Sequence, residues 1–165
     1  MSLQHNACPV PFDQQPLNEY ESLKRSLLFS FSASKRQNFI KYLIIIFLAS
    51  NMLGVLTTVF LLNITHISLS SLLSSVLFSF SVLEILLVRL YLGWSYIFKR
   101  LCSATIFYEE SGWYDGQLWI KSADILTQDR LVGIYQVEPV ICRVKNALTA
   151  VSLSLFCLAV GFFVF

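Results

Sequence analysis

Charge is what this sequence has least of. Lys, Arg, Asp and Glu make up 13% of its 165 residues, and hydrophobic residues make up 56%. An ordinary soluble domain carries about 25% charged residues. The balance excludes a disordered chain, a basic nucleic-acid-binding domain and an ordinary water-soluble enzyme. Histidine is nearly missing too, with only His5 and His66, which fall on opposite sides of the first apolar run. The four cysteines (Cys8, Cys102, Cys142 and Cys157) form no CxxC pair and no Cys/His metal spacing. Cys157 lies in an apolar run and reads as a small packing residue, and no structural disulfide is expected. No GxSxG, P-loop, GxGxxG or HExxH motif occurs. The first residues show neither an apolar leader nor an Arg- and Ser-rich transit segment, so the chain is expected either to be made inside the compartment where it works or to be inserted by its own first span.

The few charges are placed unevenly. Between Lys41 and Glu84 lie 42 residues without Asp, Glu, Lys or Arg, and the 20 residues after Lys145 also have none. A helix crosses ~30 Å of hydrocarbon with ~20 residues, so these runs mark an integral membrane protein. The expected fold class is a mainly α membrane protein with three transmembrane helices, a small inner-side β-hairpin and an amphipathic helix. The first span covers 42–62. The second covers 69–90 and continues as helix to about 101, after a short uncharged turn. The third covers 147–165. Lys24, Arg25, Lys35, Arg36 and Lys41 precede the first span, Lys99 and Arg100 follow the second, and Arg143 and Lys145 precede the third. By the positive-inside rule the N-terminus lies inside and the C-terminus outside.

Residues 1–16 hold Pro9, Pro11 and Pro16 and read as an extended arm. Pro16 is placed to open a helix. Over 17–36, apolar residues at Leu17, Tyr20, Leu23, Leu27, Leu28 and Phe31 follow helical spacing and predict one amphipathic helix. Residues 102–145 form the inner module. Its β-rich Thr105–Tyr108, turn residues Ser111–Gly116 and a second strand over Gln117–Lys121 predict a hairpin. Ser122 is a candidate N-cap for the helix that follows, and Pro139 is expected to kink or split that helix near Val137. Small residues recur every four positions at Ser50, Gly54 and Thr58 and at Ser71, Ser75 and Ser79. Such stripes let helices approach closely, either each other or a partner helix, lipid or pigment tail.

Three groups of residues are candidates for function. Glu84 and Arg89 are the ionisable residues in or near a span, where structural pairing and proton relay are both open. Glu109, Glu110 and Asp115 cluster at the hairpin turn, with Asp124 and Asp129 nearby, and read either as a solvated turn or as a cation or acid–base site. Trp113, Tyr114 and Trp119 are unusually large for a small polar module and suit a membrane-resting surface or a partner anchor. Tyr91, Trp94 and Tyr96 are expected in an interfacial aromatic belt. No metal site is predicted.

Several segments carry a resemblance: Cys8-Pro-Val-Pro11, Gln15-Pro-Leu-Asn-Glu-Tyr20, Leu90-Tyr-Leu-Gly-Trp94, Tyr108-Glu-Glu-Ser-Gly-Trp-Tyr-Asp-Gly-Gln117, and Asp129-Arg-Leu131 leading to Tyr135-Gln-Val137. In order and spacing, from Cys8 to Arg143, the chain resembles a family of cyanobacterial and plastid membrane proteins, hypothetical chloroplast reading frame thirty-six, related to conserved green-lineage and diatom proteins. The resemblance implies a plastid thylakoid or cyanobacterial membrane and a connection with photosynthesis. It brings no reaction, cofactor or catalytic residue. The expected role is a non-catalytic accessory, assembly or acclimation factor for a photosynthetic complex, with lipid and that complex as partners and Trp113, Tyr114, Trp119 and Tyr20 on the docking side. The alternative is a membrane enzyme or metal- or pigment-handling protein using Glu109, Glu110 and Asp115.

Overall fold

A computed structural model describes residues 10–62, 69–108 and 116–164 of the chain. In order the elements are α1 (Pro16–Arg25), α2 (Leu27–Ala33), α3 (Arg36–Leu62), α4 (Leu69–Cys102), β1 (Thr105–Tyr108), β2 (Gln117–Ile120), α5 (Ala123–Val132) and α6 (Glu138–Val164). A 3-10 turn, Phe12–Gln14, precedes α1, and a π turn, Gly133–Val137, joins α5 to α6. The protein is mainly helical. Three helical stretches, Arg36–Phe60, Ser71–Cys102 and Ala123–Gly161, are long and apolar enough to cross a membrane. The two short strands form one antiparallel sheet.

At 34 residues, α4 is about 51 Å long, well beyond the ~30 Å a bilayer core needs. It is the central post, with α3 and α6 packed along it on separate faces. The small residues explain the α3–α4 approach. A Cβ on Gly54 would stand 3.0 Å from the Ser75 Cβ and 3.1 Å from its Cα. Ser50, Ser75 and Ser79 are buried at this seam. Their hydroxyls donate to carbonyls of their own helices, at Phe47, Leu72 and Ser75, so no polar group is stranded. The two stripes therefore meet each other, which leaves neither free as a groove for an outside helix. Phe47 and Phe80 close the same seam edge to face, 5.1 Å between centroids. Ile44, Leu48, Met52, Leu153 and Phe156 point outward, as lipid-facing residues do. Cys157 is also exposed, so the expectation that it packs inside is corrected.

From its middle to its C-terminal end, α4 is the core of a second layer. Leu83, Leu87, Leu90, Trp94, Ile97 and Leu101 are buried at alternating spacings of four and three along one face. Tyr20 of α1, Phe29 of α2, Phe39 of α3, and Val137, Val140 and Val144 of the last helical stretch close over it.

The single amphipathic helix expected over 17–36 is in fact two. Ser26 is extended at φ −68° and ψ 145°, and its hydroxyl donates to the Leu23 carbonyl. The break lets α2 turn across the bundle end, so that Phe29 and Ser32 point into the core while Leu27 stays 92% exposed. Sequence periodicity ran on through Ser26 because both pieces are amphipathic. Pro139 splits the last helix by a different device. It cannot donate to the Tyr135 carbonyl, and its ring crowds that group. The wider π turn over Gly133–Val137 absorbs the mismatch without stopping the helix.

In the sheet, Ile106 faces Trp119 and Phe107 faces Leu118. Ile106 and Tyr108 are buried against Val10 of the arm, with Trp119 packed beside them. The Tyr108 hydroxyl donates across to the Gln117 side-chain oxygen at 2.7 Å.

Candidate functional site

The chemistry-bearing side chains gather around the last turn of α4. A helix ends with unsatisfied carbonyls and a partial negative charge, which cations complement. Here two cations supply that complement. Lys121, just after β2, donates from Nζ to the carbonyls of Arg100 at 3.0 Å and Leu101 at 3.1 Å. Arg130 of α5 donates from Nε to the Cys102 carbonyl at 3.4 Å. Arg100 itself reaches outward. It donates to Glu19 Oε1 at 2.6 Å, to the Tyr96 hydroxyl at 2.9 Å and to the Gln14 carbonyl at 3.0 Å.

Lys121 is also paired with Asp129. Nζ lies 2.7 Å from Asp129 Oδ2, with side-chain exposures of 0% and 5%. The contact is an ion pair closed to water. Asp129 is thus a buried counter-ion that binds α5 to the α4 terminus rather than a solvated carboxylate of the turn. Nothing in the periodicity signals the pair, since both residues look like surface charges on short elements. Glu19 shows the opposite balance. Burial pushes its pKa above the ordinary 4.5, and the attraction of Arg100 lowers it less than burial raises it. Its Oε2 is buried without a partner.

A second cluster lies one turn back. Trp94 is 1% exposed, and its Nε1 donates to Ser32 Oγ at 2.8 Å. It is a core residue, not part of an interfacial belt, because α2 folds over it. Tyr96 is exposed, with the Arg100 guanidinium over its ring. The Phe29 ring meets Trp94 edge on at 5.9 Å, and Tyr20 lies 6.1 Å away. Tyr20 is turned inward, and its hydroxyl donates to the Gln136 side-chain oxygen at 2.9 Å. Arg143 of α6 caps α2, donating to the Ser34 carbonyl at 2.6 Å. Tyr20, Trp94 and Gln136 therefore tie three remote parts of the chain together.

Among the other candidates, Glu84 accepts a hydrogen bond from Ser152 Oγ at 2.9 Å, which joins α4 to α6. Arg89 is exposed. Trp113, Tyr114, Glu109, Glu110 and Asp115 lie outside the described residues. Trp119 is half-buried on the arm side of the hairpin. The other side of the hairpin is bare, with Phe107 71%, Leu118 51% and Ile120 68% exposed. Among the described residues no group of three or more His, Cys, Asp or Glu is placed to hold a metal ion.

A family model described as CGLD27-like, Conserved in the green lineage and diatoms 27, matches residues 8–150. The chain belongs to this family. The CGLD27-like match takes in all of the α4-end cluster and the hairpin, and stops within α6. The chain is 43% identical to the ycf36 protein of Porphyra purpurea over 100% of both chains. It is 48% identical to the ycf36 protein of Cyanophora paradoxa, over 90% of this chain and 93% of that one. It is 41% identical to the chloroplastic protein Conserved in the Green Lineage and Diatoms 27 of Arabidopsis thaliana, over 84% of this chain and 43% of that one. No solved structure matches the chain.

Proposed function

We propose that the protein is a non-catalytic accessory factor of the thylakoid membrane, or of the corresponding cyanobacterial membrane, serving the assembly, stabilisation or acclimation of a photosynthetic complex. Its N-terminus and the module around the α4 terminus face the stroma or cytoplasm, and its C-terminus faces the opposite side. The orientation draws support from the Lys and Arg residues, all of which lie at or beyond one end of the spans. The plastid setting draws support from the chloroplastic relative.

One observation carries the docking role: the bare face of the hairpin. Phe107, Leu118 and Ile120 form an apolar surface on a sheet whose other face is sealed by the arm. A small module that ties its ionic groups to itself yet leaves its most apolar strand face open suits a surface that another protein covers. Trp113 and Tyr114, which lie between β1 and β2 in sequence, are assigned to docking in this reading by residue type.

Mild-detergent pull-down and mass spectrometry test it, from plastid or cyanobacterial membranes grown with and without sufficient iron. Subunits of a photosynthetic complex should co-purify with the wild type. They should be lost on Phe107→Ser with Leu118→Ser, or on Trp113→Ala with Tyr114→Ala, while membrane insertion stays intact. Recovery of the protein alone in every condition would overturn the reading.

A further inference from the structure

The groove between α3 and α6 has the shape and charge of a lipid site. Both helices pack on α4 but scarcely meet each other, which leaves a cleft of about 580 Å³ at their basic ends. The cleft straddles the point where charge ends. Arg36 and Arg143 line it beside Ile40 and Pro139, while Leu43 and Ala147 line the part that enters the charge-free segments. Lys35, Lys41 and Lys145 lie close by in sequence, just before those segments begin. Among the described residues none of these five cations is ion-paired with a carboxylate. Arg143 gives NH1 to the Ser34 and Ser32 carbonyls, which holds the guanidinium in place.

We propose that this cleft binds one anionic membrane lipid, with its phosphate or sulfonate headgroup on Arg36 and Arg143 and an acyl chain lying between α3 and α6. The charge complement decides the occupant. Basic pockets between transmembrane helices on the positive side favour acidic headgroups, and a guanidinium binds an oxyanion by paired, charge-assisted hydrogen bonds. The apolar lining at Leu43 and Ala147, where the charge-free segments begin, calls for a tail as well as a head. A soluble anion would use only the arginines.

The test uses the full chain, delipidated in a neutral detergent and titrated with dioleoyl phosphatidylglycerol, dioleoyl phosphatidylcholine or glycerol phosphate. Native mass spectrometry and thermal melting provide the readouts. One phosphatidylglycerol per chain should be retained and should raise the melting temperature, with the other two failing to do so. Arg36→Gln removes a headgroup contact, and Asn146→Trp fills the cleft without changing charge. Arg36→Gln should weaken phosphatidylglycerol retention roughly tenfold, the size of one lost charge-assisted contact, and Asn146→Trp should weaken it by blocking the cleft. Melting of the lipid-free variants should match wild type, which separates a lost site from a damaged fold. Equal retention of the two lipids, glycerol phosphate acting as well as the whole lipid, or variants that bind normally would each overturn the proposal. A photo-crosslinker at position 146 in native membranes should capture lipid. Capture of a polypeptide there, whether another protein or a second copy, would overturn it.

Discussion

Lys121 and Asp129 form a buried ion pair, 2.7 Å apart, at the point where α4 stops and the hairpin and α5 begin. The same ammonium holds two terminal carbonyls of α4. Removing one partner leaves a buried charge uncompensated, which costs about 3–5 kcal/mol. Lys121→Met should therefore lower unfolding stability by about that much, as read by denaturant titration in detergent. Lys121→Met combined with Asp129→Leu should recover part of the loss, because no lone carboxylate remains. Equal losses in the single and double variants would show that capping α4, not pairing Asp129, is what Lys121 contributes.

Gly93 is required by Phe29. A Cβ at Gly93 would run into Phe29 Cε1 and stand 2.6 Å from Cζ. The ring is buried and held edge on by Trp94, so it has little freedom to retreat. Gly93→Ala should destabilise the protein by about 1–3 kcal/mol, the usual cost of overpacking. Gly93→Ala with Phe29→Leu should melt closer to wild type than Gly93→Ala alone.

Glu19 gives a stability that depends on pH. Its folded pKa lies above 4.5, mainly because it is buried. The native state therefore holds its proton more tightly than the unfolded chain does. That contribution is complete below 4.5 and is lost as pH rises through the raised value. Glu19→Gln, which mimics the protonated form, should match wild type near pH 4 and exceed it near neutrality. A difference between the two proteins that is flat across roughly pH 4–7 would contradict the assignment.

Gly54 sets the distance between α3 and α4. Its missing Cβ would contact the Ser75 Cβ and Cα, and the second of these is backbone that cannot rotate away. Gly54→Leu should force the helices apart and lower the melting temperature, whereas Gly161→Leu, a site with open space around it, should not. Thermal melting of the two variants in the same detergent checks this.

The three spans were legible in the sequence because a bilayer imposes a length and forbids charge over it, so the pattern of Lys, Arg, Asp and Glu is enough. The hairpin was legible from its β-rich segments and turn residues, which are local signals. The cluster at the α4 terminus was not. Lys121 and Asp129 look like solvent charges in any window of sequence, and Trp94 looks like an interfacial ring. Their roles depend on which remote segments fold over them.

Local chemistry therefore determined what this chain is: a mainly helical protein with three membrane-length helices and one charged end. Tertiary structure decided what the polar residues at that end do. The break at Ser26 turns α2 onto Gly93 and Trp94, and the end of β2 carries Lys121 under the last turn of α4. Both are long-range placements, and no propensity or periodicity encodes them, because the free energy that fixes them lies in contacts between segments far apart in sequence.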